Sequence, residues 1–511
     1  MNRFIIFGKN WIMKGIVSLL LMLVLSTIEL VGQTGIFTAS TDIGPVKTPG
    51  KTTYDASLGQ YTLSAAGANI WGTSDEFHFA WVKITGDFIL YARLEFPEIG
   101  GNAHRKAGIM FRESLDPSSP YADAVLHGDG LTSLQYRPSY GAETFEIKSI
   151  QQHFTILQLR REGTTIVASA AHDGEPLQKI GQIELGEKGK EFYAGIFVCS
   201  HDPDRTEKAV FSNLRLTIPA PEGFVPYRDF IGSRLEIMDV QTGHRKVIYE
   251  SEVPFEAPNW TKDGKYLIVN QKGLLMKIPV EGGNPVELNT GSARFNNNDH
   301  GISFDGKWLA ISNMPPERNG RSHVYVLPVS GGEPKLVTEN GPSYWHGWAP
   351  DGKSVVFVGE RDGEFDVYSI PVNGGKETRL TTARGLDDGP EYTPDGRYIW
   401  FNSNRTGTMQ LYRMKPDGSA QEQMTFDEWN DWFPHISPDG KWIVWVSFPV
   451  TVPSGDHPYY KDVMIRMMPA TGGAPRVLTH LYGGQGTMNV PSWSPDSRFI
   501  AFVSNTQLNA R

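Results

Sequence analysis

One short unit, a turn followed by an alternating strand, occurs six times between residues 259 and 502, and no other feature constrains the fold so tightly. It reads NWTKDGKYLIV at 259–269, GISFDGKWLAI at 301–311 and GWAPDGKSVVF at 347–357, and recurs at 391–401, 435–445 and 492–502. Its aspartates, Asp263, Asp305, Asp351, Asp395, Asp439 and Asp496, are 42, 46, 44, 44 and 57 residues apart. Such a period accommodates four strands, the content of one propeller blade. In the turn, Ser or Thr leads, Pro pre-sets φ, Asp bonds back to the backbone and Gly accepts a left-handed conformation, so these aspartates are structural rather than catalytic. The strand that follows alternates, as in Leu267/Val269 and Ile443/Trp445, giving one face to the neighbouring blade.

A second unit, a hairpin with a Gly-containing turn, also occurs six times, at 235–249, 274–288, 323–337, 365–380, 409–424 and 462–478. The first copy precedes every SPDG unit, and the last SPDG unit has no hairpin after it. Residues 235–249 are therefore expected to complete the blade begun by 492–502, closing the ring and removing its free edges. These residues resemble the WD40-like repeats of the TolB propeller family over roughly 230–505. The resemblance implies a six-bladed propeller but little about function, since binding proteins, oligopeptidases and polysaccharide lyases share this architecture. No G-x-S-x-G nucleophile motif is present, and the N-terminal α/β domain of TolB itself is not recognisable here.

The first half lacks the repeat. Alternating segments such as DFILYARLEF and EFYAGIFVCS, separated by Gly, Asn and Asp turns, predict a β-sandwich over 36–218. Their order resembles concanavalin-A-like (jelly-roll) modules, which implies a glycan-binding or docking role. Trp71, His78, Trp81, Arg112, Glu113, His127 and Asp129 are its candidate sugar contacts, the alternatives being core packing for the tryptophans and a surface pair for Arg112 and Glu113. Pro-rich residues 219–230 read as a linker, leaving 231–511 to the propeller.

Lys14 followed by the apolar run 16–26 predicts a cleaved export signal within 1–33, with Met13 as a candidate start, and hence a periplasmic or secreted protein. No cysteine follows that run to carry a lipid anchor, so no stable membrane anchor is expected. The single cysteine, Cys199, lies in an apolar segment and is expected to be buried. A net charge of −9 without a dense basic run argues against nucleic acid as a partner.

Loops entering the innermost strands of a propeller converge at one channel mouth, so the polar segments ahead of each SPDG unit point to a ligand site there. The candidates are His300, Trp345, His346, Asp388, Asp431, Trp432, His435, Gln485 and Asn489. His300 and His346 hold equivalent repeat positions on adjacent blades and, with His435, are candidate ligands for a divalent metal. Asp388 and Asp431 are candidates for an acid and base across the channel. Two readings follow: a binding protein for an oligosaccharide or a protein or peptide partner, and a carbohydrate-active enzyme, either polysaccharide lyase or glycoside hydrolase. The domain also resembles some propeller lyases acting on oligogalacturonate, which implies a metal held through clustered His and Gln near the last blades; Gln485 fits that pattern, but Asn489-Val490-Pro491 lacks the expected histidines.

Overall fold

The computed structural model describes residues 35–225 and 228–508, so the expected export signal lies outside the described residues. Among them, no helix is long and apolar enough to cross a membrane. The chain is all-β. Residues 39–217 form two seven-stranded antiparallel sheets packed face to face. Phe88, Ile109, Phe111, Leu157, Phe192 and Phe211 fill the space between them. Alternation explains this core, because every second residue of Gln60–Gly67 and Phe88–Glu95 turns inward.

The outer face of the first sheet is also largely buried. There Arg112 is sealed in rather than paired with Glu113 at the surface, and it donates to the carbonyls of Ser114 and Asp116, both at 2.6 Å. Its neighbour Arg137 pairs with buried Asp75 at 2.7 Å. His78 faces Asp42 at 2.6 Å, whereas Trp71 is 41% exposed on a short hairpin. Cys199 is fully buried, which pushes its thiol up to about 12.

The second half is a six-bladed propeller. Blades 1 to 5 are four-stranded sheets whose innermost strands are Glu256–Trp260, Asn296–Ile302, Ser343–Trp348, Asp387–Tyr392 and Asn430–Ile436. Blade 6 combines both ends of the domain: Gly232–Asp239 pairs antiparallel with Phe499–Thr506, placing Leu235 opposite Val503 and Ile237 opposite Ala501. In five of the six SPDG units the leading Ser or Thr hydroxyl donates to the turn aspartate, at 2.5 to 2.7 Å, for example Ser303 to Asp305 and Ser494 to Asp496. That bond occupies the carboxylate, as the turn reading requires.

Sandwich and propeller meet along the closing strand. Glu236, fully buried, accepts from Arg215 of the sandwich at 2.7 Å, from Arg245 at 2.8 Å and from Ser504 at 2.6 Å. The backbone N–H of Ile218 donates to Thr506 at 2.8 Å, and Arg160 forms an ion pair with Asp462.

Candidate functional site

What faces the channel is decided by a bulge in each inner strand. In blades 1, 4 and 5 the ladder skips two inner residues against one partner, and Ala257, Gly389 and Phe433 take φ of 57°, 63° and 59° there. In blade 3 the skipped residue is His346, between the pairs Trp345–Phe357 and Gly347–Val356. In blade 2 the skip covers 297–299, and His300 is back in register opposite Ile311. Equal distance from the turn therefore does not mean an equal direction for the side chain.

The result is a polar mouth with two connected lobes. The smaller, about 510 Å³, is lined by Asp299, Tyr344, His346, Asp388, His457 and Asn489, among others. The larger, about 800 Å³, opens beside it past Glu256, Asn270, Lys272 and Tyr459. Asn297, Asn298, Tyr344 and Gln485 line both, so the lobes form one trough. His457 and Tyr459 come from the loop between Trp442–Phe448 and Lys461–Pro469, which lies within the 57-residue spacing.

Within the mouth, His346 Nε2 lies 3.0 Å from Asp388 Oδ1, and its ring stacks on Phe433 at 5.8 Å. Burial alone would discharge this imidazole, but Asp388 outweighs it and raises the His346 pKa. Burial likewise opposes ionisation of Asp388, and the His346 pair overcomes it, holding this carboxyl below its ordinary value. The two form an ion pair. Asp299 and Glu256 have no such partner. Burial pushes Asp299 up to about 6, His346 opposing and Asp388 adding to the shift. Burial pushes Glu256 up to about 7, although the Tyr459 hydroxyl donates to it at 2.9 Å.

Both carboxyls hold protons in the fold at a pH where an unfolded Asp or Glu, with a pKa of about 4, has lost them. At these two groups the folded state then binds more protons than the unfolded one, so their contribution to stability declines as pH rises from about 4 through 7. On going from pH 5 to pH 8 the urea midpoint of the Glu256→Gln/Asp299→Asn variant is expected to gain relative to that of the parent chain. Equal changes would show that the two groups titrate normally.

The structure brings together His346, Asp388, Gln485 and Asn489 of the sequence candidates. The others lie elsewhere. His300 is fully buried with both ring nitrogens facing backbone carbonyls, Asn298 O at 3.0 Å and Ile268 O at 3.2 Å. His435 faces Glu391 at 2.7 Å and the Met488 carbonyl at 3.2 Å. The expected metal set of His300, His346 and His435 is thus corrected: among the described residues, no group of three or more His, Cys, Asp or Glu side chains is placed to hold a metal ion.

Asp431 does not face Asp388 across the channel either; it is sealed between strands, accepting from Ser447 at 2.6 Å and Arg466 at 3.2 Å. Trp432 is core, without exposed surface. Trp345 lines a separate, aromatic cavity of about 270 Å³ at the opposite mouth, with Trp260, Trp348 and Trp493.

Sequence reasoning missed Glu256, Asn298, Asp299, Tyr344 and His457 as individual residues. Six-fold repetition demands a sixth mouth segment ahead of Asp263, which is where Glu256 lies, and the one long repeat spacing marks the insertion that carries His457.

The sequence pattern of the TolB beta propeller domain matches residues 341–511. An uncharacterized protein of Agrobacterium fabrum is 49% identical over 272 residues, which cover 53% of this chain and 92% of that protein. A solved structure of a TolB candidate from Agrobacterium tumefaciens is 48% identical, with a TM-score of 0.52, and the match covers 54% of this chain and 99% of that one. The Tol-Pal system protein TolB of Francisella tularensis is 26% identical over 134 residues, 25% of this chain and 29% of that protein.

Proposed function

Since the chain belongs to the TolB-like β-propeller family, we propose that it is a binding protein, exported to the periplasm or beyond, whose polar channel mouth takes an oligosaccharide. The observation that carries this reading is the two-lobed trough, whose lobes of about 800 and 510 Å³ share four lining residues. A site of that length suits an extended ligand, and amides and carboxylates set beside aromatic rings suit one rich in hydroxyls. Tyr344, Phe365 and Phe433 supply the rings; Asn298, Gln485 and Asn489 supply the amides. The apolar run at 16–26 supports export. The sandwich would add a second glycan contact, with exposed Trp71 as its stacking surface.

Calorimetric titration with neutral and charged tetrasaccharides tests the proposal. Saturable binding is expected, weakened about tenfold or more by Asn489→Ala, which removes a polar group from a largely desolvated site. No saccharide binding, together with capture of an extended peptide, would replace the oligosaccharide by a protein partner.

A second reading, a carbohydrate-active enzyme, is favoured by Asp299 and Glu256. A buried carboxyl that keeps its proton to about pH 6 or 7 is suited to general acid work. Reducing sugar or unsaturated ends released from the bound tetrasaccharide, and lost in Glu256→Gln, would favour the enzyme over the binder.

A further inference from the structure

The trough has a charge pattern that narrows its ligand further. Of the four carboxyl groups that line the trough, Glu252 is exposed at the rim of the larger lobe and Asp388 is matched by His346 at 3.0 Å. Asp299 accepts from the amide of Asn297 at 2.6 Å, and Glu256 from the hydroxyl of Tyr459. Neither lies within ion-pair distance of a basic side chain among the described residues. No lysine or arginine lines the smaller lobe, and Lys272 stands in the larger one. Tyr344, Phe365 and Phe433 border the same lobe, and ring faces attract cations.

A second observation concerns a neutral side chain beside Glu256. Asn298 is 5% exposed and lines both lobes, yet its Nδ2 donates to nothing; it leans towards Glu256 without reaching hydrogen-bond geometry. A buried amide donor without an acceptor is costly unless something supplies an oxygen.

We propose that the ligand of this trough carries a primary ammonium beside a hydroxyl, as in a glucosamine unit, with the ammonium against Asp299 and the hydroxyl oxygen on Asn298. This rests on the oligosaccharide reading. The groups facing Asp299 from neighbouring strands are His346, Asp388, Glu256 and Tyr344, and their balance leaves it without a counter-charge. An ammonium supplies one, and by stabilising the carboxylate it favours release to solvent of the proton that burial otherwise holds there up to about pH 6.

The test uses the full chain and three probes: glucosamine tetramer, its N-acetylated counterpart and cellotetraose. Calorimetry at pH 6.5 is expected to show the free amine bound about tenfold or more tighter than either neutral probe, the advantage of a close charge pair in a desolvated site. Asp299→Asn should abolish that preference, bringing the free amine to the affinity of the neutral probes; a preference that survives in this variant would overturn the placement of the ammonium against Asp299. Equal binding of all three by the parent chain would overturn the ammonium and leave the oligosaccharide reading standing. Binding of none would overturn both.

Discussion

Replacing Glu236 by Ala is expected to lower stability by about 3–5 kcal/mol, because it leaves two guanidiniums facing a buried void. Glu236 is fully buried between Arg215 and Arg245, and Arg245 is itself only 3% exposed. Burial alone would push this carboxyl up, but the Arg215 and Arg245 charges outweigh it and hold it well below the ordinary range. Such a group stabilises the fold above its unfolded pKa of about 4.3, and the contribution is lost as pH falls below that value. Arg215 belongs to the sandwich and Glu236 to the propeller, so Glu236→Ala should also separate one unfolding transition into two. Calorimetric scanning at pH 7 and pH 2.5 checks both points. A loss under 1 kcal/mol, or one equal at the two pH values, would mean that water reaches the cluster.

Trp432→Ala is expected to cost a similar amount, about 3–5 kcal/mol, by opening a cavity in the core of blade 5. The indole has no exposed surface, packs with Met409, Val444 and Val446, and meets the His457 ring edge-on at 4.4 Å. Truncating a sugar platform at the surface would leave stability within about 0.5 kcal/mol and remove only binding. Chemical unfolding of this variant therefore separates the two roles. A near-neutral result would return Trp432 to the mouth.

These two residues show where the sequence is legible and where it is not. The six turns and six hairpins predict the propeller and its closure by residues 235–249 on the unit at 492–502, because turn chemistry and period-2 alternation are local properties carried by each copy. Direction at the mouth is not local. His300 and His346 stand three residues before their turns, yet one extra bulged residue in blade 2 returns His300 to the ladder while His346 projects into the channel. A one-residue change in register reverses a side chain, and nothing in FNNNDHG or PSYWHG states where the bulge falls. Tryptophan is ambiguous for another reason. Trp345 and Trp432 suit a stacking platform and a wedge between blades equally well in composition, and only burial separates them. Asp299 and Glu256 were hidden because a carboxyl becomes distinctive through what surrounds it, and their surroundings come from other blades.

The seam in blade 6 governs when the molecule can exist at all. Glu236 and Ser504, joined across that seam, are separated by 268 residues. A growing chain therefore exposes the Gly232–Asp239 edge throughout synthesis of five blades, with its eventual partner still unmade. The ring becomes a ring only once Phe499–Thr506 has been made, so a ribosome that stops before it releases an arc with two sticky borders. Trimming the C-terminus before Phe499 should yield aggregates rather than a smaller soluble propeller.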